Sequence, residues 1–189
     1  MTVKTDVSRF HIHDELTAPD GSAPLIKSIQ TAGGAVSKFI GVLAESPSAL
    51  RGYTRLRTEL RSSKLPRATR ERIGLAVAGS LRSAPALAQH ERTARTAGLG
   101  VDEIAAARAW SSRDEREAAM LRYLKPLAEQ HGSHPVHLHE EAHEAGWTDE
   151  QLLEAIALVS MESFTAMINL AGEIPVDGSV EETRLLRAA

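Results

Sequence analysis

Residues 65–98, LPRATRERIGLAVAGSLRSAPALAQHERTARTAG, contain two amphipathic segments that are separated by a short break. Ser83 and Pro85 stand where a second helix would begin, since serine is a favoured N-cap and proline is tolerated in the first turn. Gly98 is suited to end that helix, because glycine readily adopts a positive φ. The stretch predicts an antiparallel helical hairpin. Its first arm has apolar residues at the four-residue spacing of a helix, namely Ile73, Val77 and Leu81.

The rest of the chain has the same helical character. Aromatic residues make up only 4% of the sequence while alanine and leucine are frequent, so the interior must be built from small aliphatic side chains. Such a core favours closely packed helices over a β-sandwich. No segment alternates polar and apolar residues over the length of a strand. We therefore predict an all-α fold, a helical bundle built around antiparallel helical hairpins.

Turn-forming residues divide the chain into three parts. The cluster Pro19-Asp20-Gly21-Ser22 separates an extended N-terminal arm, residues 1–22, from a helical domain, residues 23–177. A C-terminal tail follows, residues 178–189. Within the domain, apolar spacing predicts one helix from about residue 24 to residue 45.

Composition indicates an ordinary soluble protein. The formal net charge is −3 and the pI is near 6.2, so nothing favours nucleic acid or an anionic membrane as a partner. Apolar runs are far shorter than the roughly 20 residues of a spanning helix, and the N-terminus lacks the apolar region of a secretory signal. The sequence also has no cysteine. We expect a cytoplasmic protein.

Glu71 and His90 are the candidate catalytic residues, one on each arm of the hairpin. A carboxylate that holds an imidazole can fix its tautomer and raise its basicity, which gives an acid/base pair. We predict that the two side chains lie within direct or one-water hydrogen-bond reach and border a pocket. The structural alternative is that Glu71 pairs with Arg67 or Arg72, and that His90 is a polar residue at a helix interface.

Three further residues near the pair are candidates for substrate binding. Arg67 and Arg70 could bind a substrate carboxylate through their guanidinium groups, although an Arg67–Glu71 ion pair along the helix is an alternative. Ser83 could contact a substrate or act as a nucleophile, but capping the second helix is sufficient to explain it.

Five histidines lie between His131 and His143. His139 and His143 have the four-residue spacing that places two imidazoles on one helical face, which can bind zinc or nickel. The sequence does not identify the third ligand, and the glutamates around them suggest an exposed surface. We therefore assign no metal ligand and expect no cofactor.

The glutamate, the histidine nineteen residues later and the helix that closes on Ala97-Gly98-Leu99 resemble the carboxymuconolactone decarboxylase and AhpD-like superfamily. In its thiol peroxidases a C-x-x-C motif occupies the positions of Ser83 and Ala86, so the resemblance does not imply peroxidase activity here. Some relatives without thiols have a Tyr-Glu-Trp run instead, where this chain has Pro85, Ala86 and Leu87.

The resemblance implies a lyase or isomerase that performs cofactor-free acid/base chemistry on a small carboxylated or carbonyl compound. It places Glu71 and His90 in the proton-relay site. It also implies a homotrimer or homohexamer, in agreement with helices that are apolar on more than one side. Two alternatives stay open. One is a catalytically silent oligomer that binds a small molecule or a partner, and the other is a metal-dependent enzyme that uses the His131–His143 cluster.

Overall fold

The computed structural model describes residues 8–32, 34–129 and 134–178. Within these residues the chain is helical and has no β-strand, so the predicted all-α fold is confirmed. The helices are α1 (Ala23–Thr31), α2 (Lys38–Leu43), α3 (Pro47–Arg61), α4 (Arg67–Ser80), α5 (Ala84–Thr96), α6 (Val101–Ala107), α7 (Glu115–Glu129), α8 (Val136–Glu144) and α9 (Asp149–Ala171).

The chain divides into two compact units. The first comprises Met1–Arg55 and Ile168–Ala189, and the second comprises Leu56–Met167. Helices α3 and α9 therefore contribute residues to both. The predicted division into an arm, a domain and a tail stays a prediction.

In the first unit, the described part of the N-terminal segment is held by hydrogen bonds. The backbone N–H of Arg9 donates to the carbonyl of Gly172 at 2.7 Å, and that of His13 donates to the carbonyl of Gly41 at 3.1 Å. The His13 ring is buried and bonds to the carbonyl of Thr17 and to the carboxylate of Glu45. His13 is therefore a structural residue in this unit.

The predicted helix from residue 24 to residue 45 is wrong in one respect, because the chain forms two helices there, α1 and α2. Ser37 begins the second one by accepting a hydrogen bond from the backbone N–H of Ile40. An N-cap of this kind satisfies a donor that would otherwise be unpaired at the helix start. The apolar spacing continues across the break, which explains why it predicted a single helix.

In the second unit, α4 and α5 form the predicted hairpin. Arg82 makes the turn with a φ of 54°, and Gly98 follows α5 with a φ of 89°. Ile73 is fully buried on the inner side of α4, as the four-residue spacing predicts. One core cluster joins α4, α5 and α6, and its buried members are Leu75, Ala94, Leu99, Ile104 and Ala107.

Among the described residues, α9 is the helix with the length and apolar composition that would suffice to cross a membrane. Of its most apolar window, 44% is buried inside the protein. A core helix of a soluble protein meets the same criteria, so this is weak evidence for a membrane span.

Candidate active site

The two candidate catalytic residues face each other across the hairpin. His90 on α5 places its Nδ1 3.0 Å from Oε2 of Glu71 on α4. The same carboxylate oxygen accepts a hydrogen bond of 2.5 Å from the hydroxyl of Thr93, one turn after His90. The predicted hydrogen bond between Glu71 and His90 is therefore confirmed, and Glu71 does not pair with Arg72, which bonds to Glu103.

A third residue, Glu162 on α9, completes the site. Its Oε2 lies 3.0 Å from Nε2 of His90, so both ring nitrogens contact a carboxylate. The three side chains are only 10–15% exposed, so little water competes for these hydrogen bonds. Sequence analysis missed Glu162. The available signal was that Glu162 is the single charged residue between positions 155 and 172, and a lone carboxylate in an apolar helix usually has a partner.

The His90 ring lies directly against the backbone of α4 at Gly74. A Cβ atom at this position would overlap with Cε1, Nδ1 and Nε2 of the ring. Gly74 is one turn after Glu71, so both residues lie on the same face of α4. The missing side chain therefore makes the space in which His90 reaches two carboxylates.

The electrostatics of the site favour a protonated histidine. Burial alone would lower the pKa of His90, but Glu162 and then Glu71 outweigh burial and raise it to about 10. Burial alone would raise the pKa of Glu71, but hydrogen bonds from His90 and Thr93 lower it overall. At neutral pH the pair is therefore an imidazolium and a carboxylate, and both ring N–H groups donate.

The three residues line a pocket of about 460 Å³. Arg67 and Arg70 line it too, so the structure brings both predicted substrate-binding arginines to the pair. Arg67 donates to the hydroxyl of Thr96, and Arg70 donates to the carbonyls that end α3. Two further arginines, which sequence analysis did not select, also belong to the lining. The whole lining is Arg57, Leu60, Arg61, Arg67, Arg70, Glu71, Gln89, His90, Thr93, Leu158, Met161 and Glu162.

The structure does not bring Ser83 to this pocket. Ser83 is fully buried before α5 and does not belong to the pocket lining. It occupies the N-cap position, but its hydroxyl makes no capping hydrogen bond and has no partner, so the prediction of a side-chain cap is wrong. Sequence position places Ser83 at the helix start but does not determine its side-chain direction. The proposed contact with a substrate therefore has no support from this geometry.

The histidine cluster lies elsewhere in the second unit. His139 and His143 are neighbours on α8, while His134 bonds through Nε2 to the carbonyl of Tyr123. His131 lies outside the described residues.

Substitution of Gly74 by alanine is expected to displace the His90 ring, because the added Cβ and the ring require the same space. Overpacking of this kind costs about 1–3 kcal/mol of stability. NMR titration should also show the pKa of His90 falling from about 10 toward its ordinary value as the carboxylate contacts are lost.

Gly52→Ala on α3 is the matched control, because a Cβ there meets no atom within 4 Å. Alanine is the better helix former, so this variant should be slightly more stable than the parent protein. A Gly74→Ala protein with unchanged stability and an unchanged His90 titration would contradict the packing described above.

The fold and the site define an AhpD-like, all-α protein whose pocket carries a carboxylate–histidine–carboxylate group in place of a dithiol. Residues 47–129 match the Carboxymuconolactone decarboxylase family. The predicted resemblance to the carboxymuconolactone decarboxylase/AhpD-like superfamily is confirmed for this cysteine-free chain. Comparison with curated protein sequences gave no significant match.

Solved structures with this fold are distant in sequence. An uncharacterized peroxidase-related protein with an AhpD core from Ralstonia eutropha JMP134 is 20% identical, with a TM-score of 0.77 over 91% of this chain and 93% of that one. An uncharacterized peroxidase-related protein from Silicibacter sp. TM1040 is 16% identical, with a TM-score of 0.78 over 94% and 96%. The debrominase Bmp8, solved with 2,3,4-tribromopyrrole, is 14% identical, with a TM-score of 0.69 over 100% and 99%. At these identities the similarity establishes the fold alone.

Proposed function

We propose that this protein is a carboxymuconolactone decarboxylase-like enzyme that performs cofactor-free acid/base chemistry on a small carboxylated or carbonyl compound. The observation that carries the proposal is the contact of both His90 ring nitrogens with pocket-lining carboxylates, those of Glu71 and Glu162. Decarboxylation, isomerisation and related proton transfers are the reactions this arrangement suits.

The group has the parts that proton transfer requires. A protonated His90 keeps its carboxylate neighbours ionised, so Glu71 or Glu162 can accept a proton from a substrate carbon. His90 can supply a proton through the same hydrogen bonds when the product must be protonated. Since each carboxylate is held by its bond to the ring, the base is positioned before substrate arrives.

The charge of the lining favours an anionic substrate. Four arginines line the pocket, Arg57, Arg61, Arg67 and Arg70, against the carboxylates of Glu71 and Glu162. Guanidinium groups bind carboxylates through paired hydrogen bonds and stabilise the negative charge that develops on an enolate. The volume of about 460 Å³ suits a small molecule. The Bmp8 structure with 2,3,4-tribromopyrrole supports a small ligand for this fold.

Deuterium incorporation tests the proposal whichever product the reaction forms. Small β-keto acids and lactone carboxylic acids are incubated with the protein in D₂O, and proton NMR follows exchange at the carbon next to the carbonyl and loss of the carboxyl group. We expect exchange or decarboxylation of at least one compound above a heat-inactivated control. Compounds that bind but never exchange would contradict the proposal and favour a catalytically silent binding protein.

That silent protein is the second candidate function, and one observation favours it. The Glu71–His90–Glu162 group is almost buried, which also suits a structural ion-pair network. The expected homotrimer or homohexamer and the cytoplasmic location stay predictions under both functions.

Hydroperoxide reduction is expected to be absent. The thiolate is the nucleophile in thiol peroxidases, and the 189 residues include no cysteine. Consumption of hydrogen peroxide or cumene hydroperoxide with a dithiol reductant should equal that of a heat-inactivated sample. Turnover above this background would refute the exclusion of peroxidase chemistry.

A further inference from the structure

Three metal-ligating side chains converge where α8 meets α9. His139 and His143 lie one turn apart on α8, and their Nε2 atoms are 3.1 Å apart. Asp149, at the start of α9, places Oδ1 3.0 Å from Nε2 of His143 and 3.9 Å from Nε2 of His139. Asp149 is the third ligand that sequence spacing did not identify, because the chain reverses direction between the two helices.

The distances match a metal site. Zinc binds imidazole nitrogen and carboxylate oxygen at about 2.0–2.2 Å in tetrahedral geometry, which separates neighbouring ligand atoms by about 3.3 Å. The three measured separations lie around this value. The ligand atoms can therefore surround one ion after small side-chain rotations.

Hydrogen bonding alone does not satisfy these three atoms equally well. A neutral imidazole carries one N–H, so the Nε2 of His143 cannot direct a hydrogen at Asp149 and also accept one from His139. Protonation of both rings would place two cations in contact. A divalent cation removes the conflict, because each ligand atom then presents a lone pair to the same centre.

The surrounding structure positions the ligands in advance. Trp147, between the two helices, is buried and donates its indole N–H to the carbonyl of Arg116 at 2.8 Å. Thr148 begins α9 by accepting a hydrogen bond from the backbone N–H of Gln151. The segment that presents Asp149 is therefore held at both sides, while the three ligand side chains remain accessible to solvent.

The local charge also favours a cation. Glu140 and Glu144 on α8 are exposed beside the histidines. His143 lies in the last turn of α8, where the helix dipole attracts positive charge. Both effects lower the free energy of a bound metal ion.

We propose that His139, His143 and Asp149 bind a divalent transition metal ion of the zinc type. Three protein ligands leave one tetrahedral position for water or for an external ligand. The ion would link the last turn of α8 to the first turn of α9. This site is separate from the Glu71–His90–Glu162 group, and the proposal does not depend on the proposed function.

Zinc titration of the full chain tests the proposal. Protein stripped with EDTA is titrated with ZnCl₂ by calorimetry, and bound metal is measured by elemental analysis after desalting. We expect one equivalent per chain. Since zinc would bind the folded state preferentially, the melting temperature should rise by roughly 5–10 °C when free zinc is about a hundred times its dissociation constant.

Substitutions then locate the site. His139→Ala, His143→Ala and Asp149→Ala should each weaken binding about tenfold or more, since loss even of an outer hydrogen-bond partner costs that much. His137→Ala is the matched control, because His137 is exposed on α8 but does not belong to the cluster. Circular dichroism verifies that each variant folds. Absence of zinc binding, or binding that all three ligand variants retain, would overturn the proposal.

Discussion

Replacement of His90 by glutamine is expected to lower turnover of any compound identified by deuterium exchange by about 10²–10⁴-fold, the usual contribution of a positioned acid/base group. Glutamine retains polarity and approximate length but cannot carry a proton between Glu71 and Glu162. The effect should appear mainly in kcat, because the arginines that would hold the substrate remain.

The carboxylate variants test whether the three residues act as one unit. Glu71→Gln and Glu162→Gln should each lower kcat strongly, and a variant that combines either one with His90→Gln should lose little more. Glu150→Gln, an exposed residue at the start of the same helix as Glu162, is the matched control and should keep full activity. If the losses multiply in the double variants, the residues contribute independently and the relay interpretation fails.

Stability should fall as the pH rises from about 6.5 to about 10, owing to His90. Its pKa is raised from 6.5 to about 10 in the folded protein, so the folded state binds this proton more tightly than the unfolded chain. The resulting stabilisation is complete below pH 6.5 and disappears as the pH passes through 10. One such proton changes the free energy of unfolding by at most about 1.4 kcal/mol per pH unit, or a few kcal/mol over the range.

Urea unfolding at pH 6.5, 8 and 9.5 measures this dependence. The difference between the parent protein and His90→Gln isolates the histidine, because the other titrating groups are common to both. This difference should shrink steadily with rising pH, whereas His137→Gln, an exposed substitution, should behave as the parent does. A difference that is constant between pH 6.5 and 9.5 would mean that His90 is neutral in the folded protein.

Sequence reasoning found the parts of the site that depend on local spacing. Glu71 and His90 lie on adjacent arms of one hairpin, so helix period and a short turn suffice to place them together. Glu162 lies 72 residues beyond His90, and its approach depends on how α9 packs in the second unit. No local pattern encodes that contact.

The same distinction explains the other results. The break between α1 and α2 depends on a cap at Ser37, which competes with apolar spacing that continues across it. The direction of the Ser83 hydroxyl and the approach of Asp149 to the histidines of α8 depend on the tight turns before α5 and α9. Residue type predicts that these turns exist but not which way each side chain points.

The close contact between Gly74 and His90 has a consequence for how such a site can change during evolution. An imidazole at position 90 and a Cβ at position 74 exclude each other sterically. A lineage that keeps the histidine must therefore keep glycine at position 74, and one that gains a larger residue there is released from selection on the histidine. The two positions form a single heritable character. Their joint variation among homologues would show which descendants have retained the proton-transfer group and which have replaced it with ordinary helix packing.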